Sequence, residues 1–535
     1  MTEQVTLPRK LFGGIGKLPW GRMGLVFAVV TYGISQPVYG RILDHPVSYP
    51  TTAGFLFWAM TWFQALPFLL VFGLDSLLRE RKGVHAWRAA LYVLVILSFL
   101  RQLQISYLHT MFPGSYSVRF AGGLILVCLL FLLCWKARRK LDLYFSFLGA
   151  FALVLTILLP FRAPLSGFAP SEPEGRKVET TAPPVFLLVF DEISFPILAP
   201  DGTPDGERFP HFAELAGESS WFTEATTNHL HTDASVRTIF TGKRWPKDGA
   251  RTLFDHLGDR YRFRVITAIP SVEDWMRSTG RKDVDYRGRN RHLSRRPLAV
   301  ARFLLVGLAE SAFLPTPIAR KVTGFFGDSH TLHSRHREEF EELLRSVDPG
   351  ESPGRFVYFH ASLPHYPYVY DSSGKLHGNP DTAFFPGRDV TQVLRNYVRQ
   401  LQRVDRLLGR FLERLKETGL WPDSILVVTS DHGLRTQGFL EPEGFPKKSG
   451  DLGPRVPLMV RAPSLVPGVL STPYQHIDFL PSLLEILDVP YSPKEFDGQA
   501  LSEPRQDRRE KTCAWSRESR YRYDWDEGLW ILERN

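Results

Sequence analysis

The hydrophobic positions divide the chain into two parts. Up to about residue 162, long apolar segments follow one another with short polar connections. From about residue 184 onward, short apolar runs alternate with stretches in which apolar residues recur every three or four positions. The first pattern is typical of membrane-spanning helices, and the second indicates a sheet covered by helices.

Five apolar segments in the first part are each near the length that a tilted helix needs to cross a bilayer. They cover residues 23–39, 54–74, 86–100, 120–135 and 143–161. One such segment could be a buried core helix. Five in succession predict a membrane anchor over residues 1–162.

Basic residues are concentrated in the segment before the first span and in two of the connections. These residues are Arg9, Lys10, Lys17 and Arg22, then Arg79, Arg81, Lys82 and Arg88, then Lys136, Arg138, Arg139 and Lys140. Since cytoplasmic connections carry the excess of lysine and arginine, an odd number of spans would export the rest of the chain. The first apolar run is followed by no small-residue cleavage site, which favours a retained anchor over a signal peptide.

The second part predicts a doubly wound α/β domain over residues 184–505. Apolar strands are expected at residues 185–190, 263–267, 355–359, 424–430 and 458–461, and a long helix at residues 390–418. Residues 163–183 are rich in Pro, Gly, Ser and Glu, which predicts an extended linker, and residues 506–535 form a tail.

Charge and cysteine content add two constraints. The net charge of +9 is largely explained by the basic connections, so it does not require a nucleic acid partner. Cys128, Cys134 and Cys513 offer no disulfide framework. The basic residues 277–302 and the apolar residues 303–314 could meet anionic lipid headgroups or a polyanionic acceptor, or they could be a solvated loop before a core helix.

Polar residues follow two of the predicted strands directly. Asp191 and Glu192 end the strand at 185–190, and Asp431, His432 and Gly433 end the strand at 424–430. Carboxylates and an imidazole at the carboxyl edge of a parallel sheet can bind a divalent metal, and this ligand set suits zinc or manganese. The alternatives are solvated loop carboxylates and an ordinary Asp-His-Gly turn.

A third polar segment, residues 232–242, reads as a turn entering a helix. A hydroxyl at a helix start lies among free backbone N–H groups, where an oxyanion is stabilised and the hydroxyl pKa can fall beside a metal. In the alternative interpretation, Thr232 or Ser235 simply caps the helix.

The order of these parts resembles the sulfatase-like branch of the alkaline phosphatase superfamily over residues 184–501. Seven pieces carry the resemblance: Asp191-Glu192, the 232–242 segment, Leu363-Pro-His365-Tyr-Pro-Tyr368, the helix before Ser430-Asp-His-Gly433, Arg455-Val-Pro-Leu458, Asp478-Phe-Leu-Pro481 and Phe496-Asp-Gly498. The resemblance implies an enzyme that depends on a divalent metal, zinc or manganese, with calcium or magnesium as alternatives.

The same resemblance implies roles for individual residues. Asp191, Glu192, Asp431 and His432 would bind the metal, and Thr232 would be the nucleophile with its oxygen also on the metal. His365 would contact the substrate or protonate the leaving oxygen. His360, His476 and Ser235 are further candidates for substrate binding, with ordinary structural roles as the alternative.

Position 232 separates the branches of the superfamily. Sulfatases make formylglycine from Cys or Ser, and threonine cannot give that aldehyde because oxidising its secondary alcohol yields a ketone. Their Gly-Lys-x-His-x-Gly signature is also missing after Tyr261. Thr232 and the five spans instead resemble the membrane-anchored phosphoethanolamine transferases and lipoteichoic acid synthases. Those families have a single Glu where this chain has Asp191-Glu192, and many phosphoethanolamine transferases carry disulfides.

We therefore expect a phosphotransferase of the bacterial inner membrane whose catalytic domain lies outside the cytoplasm. It would move a phospholipid headgroup, of the phosphoethanolamine or phosphoglycerol type, through phosphothreonine to an envelope glycan or lipid. One alternative is a hydrolase of the same fold, a phosphodiesterase or a sulfuric ester hydrolase. The other is a non-catalytic membrane scaffold.

Overall fold

The structure is a computed structural model. It describes residues 20–36, 39, 57, 59–78, 83–102, 116–162, 182–247, 249–267, 269–281, 283–287, 329–350, 353–366, 368, 370–371, 373–375, 390–435, 452–502, 512–514, 519–524 and 529–534. Most of the predicted linker, residues 288–302 of the basic segment and the whole apolar segment 303–314 lie outside the described residues. The chain divides into two compact units, residues 1–168 with 292–328, and residues 169–291 with 329–535.

The N-terminal unit is helical. Its helices are Trp20–Val30 (α1), Leu66–Leu77 (α2), Val84–Gln102 (α3) and Tyr116–Arg162 (α4), with short π-helices at Thr31–Ser35 and Thr61–Ala65. In the part of the chain that the structure describes, no helix is both long and apolar enough to cross a membrane. The five spans stay a prediction from the sequence.

The connection expected between the fourth and fifth apolar segments is helical instead. α4 runs without a break through residues 136–140 and has 47 residues, which is about 70 Å at the usual rise per residue. Lysine and arginine are good helix formers, and this stretch contains no proline or glycine to stop the helix. A charge cluster predicted a loop here, and that prediction was wrong.

Two other basic residues expected in polar connections also lie in helices. Arg22 of α1 and Arg88 of α3 donate to the carboxylate of Asp75 in α2, at 2.8 and 3.3 Å. Asp75 is fully buried, so its charge needs both partners. These ion pairs join three helices of the unit.

The second unit is built on an eight-stranded sheet. In chain order the strands of this unit are Val185–Asp191 (β1), Ser220–Phe222 (β2), Ala225–Thr226 (β3), Arg262–Thr267 (β4), Val284–Tyr286 (β5), Arg355–Pro364 (β6), Ile425–Ser430 (β7), Leu458–Arg461 (β8), Gly468–Leu470 (β9), Tyr474–Gln475 (β10), Thr512–Ala514 (β11), Ser519–Asp524 (β12) and Leu529–Arg534 (β13). The order in the large sheet is β5-β4-β6-β1-β7-β8-β2-β9. β3 pairs with β10, and β11, β12 and β13 form a separate antiparallel sheet within residues assigned above to a tail.

Strand direction changes along the large sheet. The run from β5 to β7 is parallel. β8 is antiparallel to both β7 and β2. The hydrophobic pattern of a strand reports burial and not direction, so the sequence did not distinguish this antiparallel strand from its parallel neighbours.

Both faces of the sheet are covered. Along β1, Phe186, Leu188 and Phe190 point into one core cluster. The alternate residues Val185, Leu187 and Val189 point into the other. The continuous apolar runs in the sequence follow from burial on both sides. The prediction of an α/β domain with a sheet between helices is confirmed.

The helices of this unit have the following bounds. They are Phe195–Leu198 (α5), Pro210–Gly217 (α6), Thr232–Thr241 (α7), Leu253–Leu257 (α8), Pro270–Ser278 (α9), Ser329–Arg345 (α10), Val390–Glu417 (α11) and Phe479–Ile486 (α12), with 3₁₀ turns at His476–Asp478 and Pro493–Glu495. α11 matches the helix predicted at 390–418 to within one residue. It packs on the core face that contains Phe186.

Candidate active site

Two parallel strands deliver the polar residues to one place. β1 and β7 are neighbours, and Phe190 pairs with Ser430. Asp191 and the pair Asp431-His432 therefore leave the sheet side by side. Ser430 holds this edge together, because its hydroxyl lies 2.7 Å from the carbonyl oxygens of Phe190 and His432.

Asp191, Asp431 and His432 form a compact ligand cluster. One ligand atom from each lies within 4.8 Å of the others. His432 Nε2 is 3.7 Å from Asp191 Oδ1 and 3.5 Å from Asp431 Oδ2. All three residues are buried. Two carboxylates and an imidazole nitrogen converging in this way fit a divalent cation.

Hydrogen bonding in the cluster leaves the converging atoms open. Asp431 Oδ1 accepts hydrogen bonds from the backbone N–H groups of Glu192 and His432, at 3.1 and 2.8 Å. In contrast, Asp191 Oδ1 and Asp431 Oδ2 are buried oxygens that accept no hydrogen bond from the described residues. Buried carboxylate oxygens need a positive partner, which a metal ion would supply.

The shifted pKa values of the metal-free cluster also indicate that its ligand atoms need a positive partner. Burial, followed by the carboxylate of Asp431, raises the pKa of Asp191 well above its ordinary value. Burial, followed by Arg435, lowers the pKa of His432 to about 3. Neutral His432 places its proton on Nδ1, which donates to the carbonyl of Gly433 at 2.8 Å, so the Nε2 lone pair faces the carboxylates.

Thr232 lies beside this cluster, at the first position of α7. Its Oγ1 is 3.4 Å from His432 Nε2. Neither Thr232 nor Ser235 caps the helix, because the N-cap residue is His231 and it makes no side-chain cap. The capping alternative is therefore not supported. The hydroxyl is instead located at the positive end of a helix, next to the candidate metal ligands.

Glu192 occupies the border of the cluster and has an unusual backbone, with φ at 77°. Tyr397 donates to its carbonyl at 2.8 Å and accepts from Ser194 N–H at 3.0 Å, which holds this conformation. Oε1 of Glu192 accepts hydrogen bonds from the backbone N–H and from Nε of Arg435, at 3.2 and 3.4 Å. Its buried Oε2 has no hydrogen-bond partner among the described residues. Glu192 can thus contribute one oxygen to a metal while pairing with an arginine.

His365 follows β6 and lies near Glu192 at the same edge. Its Nδ1 donates to the carbonyl of Tyr366 at 2.8 Å, and its Nε2 accepts from Arg435 Nη2 at 2.8 Å. Burial acts to lower the pKa of His365, but the carboxylates of Asp191 and Glu192 outweigh it and raise that pKa. A half-buried imidazole with a raised pKa can bind an anionic substrate or give up a proton.

His360, His476 and Ser235 lie beneath the cluster. His360 is fully buried, contacts Tyr358 Oη at 3.0 Å and lies 3.9 Å from Asp431 Oδ2. Ser235 donates to the carbonyl of Asp431 at 2.5 Å and contacts His476 Nδ1 at 3.1 Å. Burial lowers the pKa of His360 to about 4 and that of His476 to about 3. In this position they support Asp431 from inside the fold.

Arg435 is a site residue that the sequence argument missed. It bridges Glu192 and His365, and its side chain is 22 % exposed. Burial acts to lower its pKa, but Glu192, Asp191 and Asp431 together raise it. Its place two residues after Gly433 was the available signal, since residues that follow a strand end at this edge tend to face the site.

Comparisons with known proteins agree with the resemblance. Residues 321–489 match the family model for sulfatases, a range that includes His365, Asp431 and His432. Arylsulfatase K of Xenopus laevis is 32 % identical over 122 residues, which cover 22 % of each chain. The multifunctional alkaline phosphatase superfamily protein PehA of Trinickia caryophylli is 26 % identical over 183 residues, 33 % of this chain and 34 % of PehA.

Among solved structures, the phosphonate monoester hydrolase of Silicibacter pomeroyi superposes with a TM-score of 0.41 and 17 % identity, over 62 % of this chain and 79 % of that one. The matched parts of the curated relatives are about a fifth to a third of their length. Over residues 321–489, the family match confirms the predicted likeness to sulfatases.

Proposed function

Because the chain contains a sulfatase-like domain of the alkaline phosphatase superfamily, we propose that it is a metal-dependent enzyme that cleaves a phosphate ester through phosphothreonine at residue 232. The observation that carries this proposal is the 3.4 Å distance from Thr232 Oγ1 to His432 Nε2, at the start of a helix. A nucleophile beside a ligand cluster and a helix N-terminus has both elements that phosphoryl transfer requires, positioning and positive charge.

Asp191, Asp431 and His432 would hold the metal, with Glu192 as a fourth candidate ligand. Their oxygen and nitrogen donors suit zinc or manganese, and calcium or magnesium are the alternatives. When bound, such an ion lowers the pKa of a nearby hydroxyl and offsets negative charge on phosphoryl oxygens. The chain's own residues then determine which bonds are made and broken.

The reaction would proceed in two displacements. Thr232 Oγ1 attacks phosphorus, the bond from phosphorus to the leaving oxygen breaks, and the threonine proton passes to solvent. His365 lies at the edge of the site, and its protonated form, which its raised pKa favours, could give the leaving oxygen a proton. In the second step an acceptor hydroxyl attacks phosphorus and loses its proton, the bond from phosphorus to Thr232 Oγ1 breaks, and Thr232 Oγ1 regains a proton.

The nucleophile argues against the sulfatase reaction itself. Formylglycine chemistry needs an aldehyde hydrate, and a threonine at this position cannot provide one. The sequence likeness to arylsulfatase K and PehA therefore supports a shared fold more than a shared substrate.

The finer proposal is transfer from a membrane phospholipid to a hydroxyl of an envelope glycan or lipid. Large apolar side chains on the N-terminal helices support a membrane location, for example Leu77, Phe57 and Phe147, which are 77, 74 and 70 % exposed. Apolar surface of this kind is costly in water and favourable against lipid. An enzyme anchored there would meet a donor that stays in the bilayer, at the bacterial inner membrane. Hydrolysis is the second candidate, because arylsulfatase K is named for that reaction.

Mass spectrometry of the peptide containing Thr232 tests the proposal. Metal-loaded protein from membranes is compared with Thr232→Ala, which has no hydroxyl, and with Thr232→Ser, which keeps one. We expect a phosphorus-containing adduct in the parent protein and in Thr232→Ser, and none in Thr232→Ala. The added mass identifies the transferred group.

Two further outcomes would separate the alternatives. Release of free headgroup without an acceptor, faster than transfer, would identify a hydrolase. A Thr232 that stays unmodified in a protein that retains no divalent metal would contradict the proposal and favour a non-catalytic scaffold.

A further inference from the structure

A stripe of arginines follows one flank of α11. Its members recur at the three- and four-residue spacing that places side chains on one helix face. They are Arg395, Arg399, Arg403, Arg406, Arg410 and Arg414. Apolar residues of the same helix, such as Tyr397, Leu401 and Phe411, lie in the core. The chemistry proposed for Thr232 makes no use of this stripe.

Little of this charge is neutralised within the described part of the chain. Arg410 pairs with Glu341 at 3.4 Å. Arg395 and Arg399 donate to the neutral side chains of Gln392 and Asn396. Within the described part of the chain, Arg410 has an ion pair and the other five arginines have none. The middle of the stripe, Arg403 and Arg406, therefore carries two charges without a counter-ion in that part of the chain.

Arg403 and Arg406 also bury donors that have no acceptor. Arg403 Nε, and both Nε and Nη2 of Arg406, are shielded from solvent and form no hydrogen bond in the described structure. Burial lowers the pKa of Arg403, and the neighbouring charges of Arg406 and Arg410 act in the same direction. Buried guanidinium donors are expensive unless an acceptor reaches them.

A tight turn, closed by hydrogen bonds from Asp371 N–H to the carbonyl of Lys375 and from Gly374 N–H to the carbonyl of Asp371, lies over these two arginines. A side-chain carbon at Gly374 would be 3.0 Å from Arg406 Nη2 and 3.1 Å from Arg403 Cδ, so the turn backbone lies directly against both. The ring of Tyr370 lies 5.7 Å from the Arg403 guanidinium. The side-chain carbon at Gly374 would also be 3.3 Å from Arg403 Nη1, so the two guanidinium groups meet beneath this turn and hold like charges close together.

Asp371, the acidic residue of that turn, already forms hydrogen bonds within the turn. Asp371 Oδ1 accepts from the N–H and hydroxyl of Ser373, at 2.9 and 2.7 Å, and from Lys375 N–H at 3.0 Å. These bonds fix the turn and direct the carboxylate toward it. Lys375 adds a further positive charge close by.

We propose that Arg403 and Arg406 form a binding site for a tetrahedral oxyanion of the phosphate or sulfate class, separate from the site of Thr232. Two like charges held together without a counter-ion among the described residues favour an anion between them, at the guanidinium donors that solvent still reaches. Paired guanidinium groups present the fork that such oxyanions accept.

The position suggests what the oxyanion belongs to. Gln400, three residues before Arg403 on the same helix, donates to the carbonyl of His365 at 2.8 Å, and three residues of helix rise about 4.5 Å. The two guanidinium groups therefore lie close to the candidate active site. An anionic group bound there could be a second phosphate or sulfate of the substrate, one that the reaction leaves in place. It could also be a free oxyanion that binds the same donors.

Calorimetric titration of the full-length protein with sulfate and with phosphate, at constant ionic strength, tests this site. The test variant is Arg403→Gln/Arg406→Gln. The matched control is Arg395→Gln/Arg414→Gln, which removes the same charge from the same helix at its outer positions. We expect anion binding at least about tenfold weaker in the test variant and unchanged in the control.

Equal binding by the parent and the test variant would overturn the proposal. Equal weakening in both double variants would also overturn it, because anion binding would then depend on the total charge of the helix and not on Arg403 and Arg406. Arg403→Lys/Arg406→Lys keeps both positive charges, so it controls for misfolding caused by their loss. It should bind the anion more weakly than the parent, because lysine lacks the paired N–H donors of the guanidinium group.

A comparison of free sulfate with dextran sulfate distinguishes the two sources. Tighter binding per sulfate by the polymer, lost in the test variant, assigns the site to a polyanionic substrate. Equal binding per sulfate assigns it to a free oxyanion. The result is independent of adduct formation on Thr232, so a failure here leaves the proposed reaction untouched.

Discussion

Asp431 shows how one side chain can serve the fold and the site together. Its Oδ1 accepts from two backbone N–H groups, which fixes the rotamer. Its Oδ2 is thereby aimed at His432 and Asp191 with no partner of its own in the described structure. Preorganisation of this kind leaves a ligand atom ready for a cation at little further entropic cost.

The substitution Asp431→Asn tests this arrangement. The amide side chain of the variant can keep an acceptor oxygen toward the backbone, but it lacks the charge that the cation needs. We expect metal affinity to fall about 100-fold or more, with little change in the far-ultraviolet spectrum. Metal content after dialysis, measured by plasma mass spectrometry, checks it. The control is Asp423→Asn, which makes the same substitution at an exposed residue just before the same strand. Equal metal loss in both variants would contradict the assignment of Asp431 as a ligand.

In the metal-free protein, the contribution of Asp191 to stability should fall as the pH rises. The pKa of Asp191 is raised in the folded state by burial and by Asp431, relative to an ordinary value of 3.8. The folded state therefore binds the proton more tightly, and that contribution to stability is lost as the pH rises from near 3.8 through the raised pKa. The buried histidines His360, His432 and His476 have lowered pKa values and change stability in the opposite direction. The difference in thermal melting between the chelator-treated protein and its Asp191→Asn variant, followed against pH, therefore measures this loss.

Adding zinc or manganese should remove that trend. A bound cation would take the place of the proton that Asp191 holds, so metal binding would release protons and strengthen as the pH rises. Metal-loaded protein should then be at least as stable at neutral pH as at about pH 5. A difference between the metal-free parent and Asp191→Asn that does not change with pH would mean that the carboxylates do not interact as the geometry indicates.

At the scale of elements, Gly433 shows a close contact between loops. A side-chain carbon there would lie 2.1 Å from the carbonyl oxygen of Leu452, and Gly433 N–H donates to the carbonyl of Gly453 at 2.7 Å. This close approach explains why glycine occupies the position. Gly433→Ala should displace His432 and weaken metal binding at least about tenfold.

Gly217→Ala provides the comparison for that variant, since a side-chain carbon at Gly217 meets nothing within 4 Å. Metal titration of both proteins checks the prediction. Unchanged affinity in Gly433→Ala would show that the segment at residues 452–453 can move away without affecting the ligands.

Asp405 joins two helices on the core face of the sheet. From α11 it accepts hydrogen bonds from the backbone N–H groups of His211 and Phe212 at the start of α6, at 3.0 and 2.9 Å. Asp405→Ala would leave these donors without an acceptor and should lower the free energy of unfolding by about 2–4 kcal/mol. Denaturant unfolding should show a smaller loss for Asp405→Asn, and none for the exposed Glu413→Ala.

The sequence predicted the elements that burial dictates. The apolar runs gave β1, β6, β7 and β8, and the polar residues after two of them gave the ligand cluster, because strands buried on both faces leave a strong local pattern. Arg435 was missed because its contacts with Glu192 and His365 join residues far apart in the chain. The continuous α4 was missed because charge marks topology and does not break a helix.

At the scale of the whole molecule, the chemistry is confined to one unit. Residues 169–291 and 329–535 contain both core clusters of the sheet, the ligand cluster and the arginine stripe. The N-terminal unit has its own buried cluster and a large exposed apolar surface. In the proposed function, one unit would carry out the reaction and the other would bring it to its donor.

This division predicts different effects of removing residues 1–181 on two substrates. The remaining chain keeps Thr232 and its ligands, so it should still bind metal and cleave a soluble diester such as bis-p-nitrophenyl phosphate at a rate similar to that of the full-length protein. Activity on phospholipid vesicles should fall strongly, since the donor is no longer concentrated beside the site. Equal losses on both substrates would argue that the N-terminal unit supports the fold, and no loss on either would argue against a donor held in the bilayer.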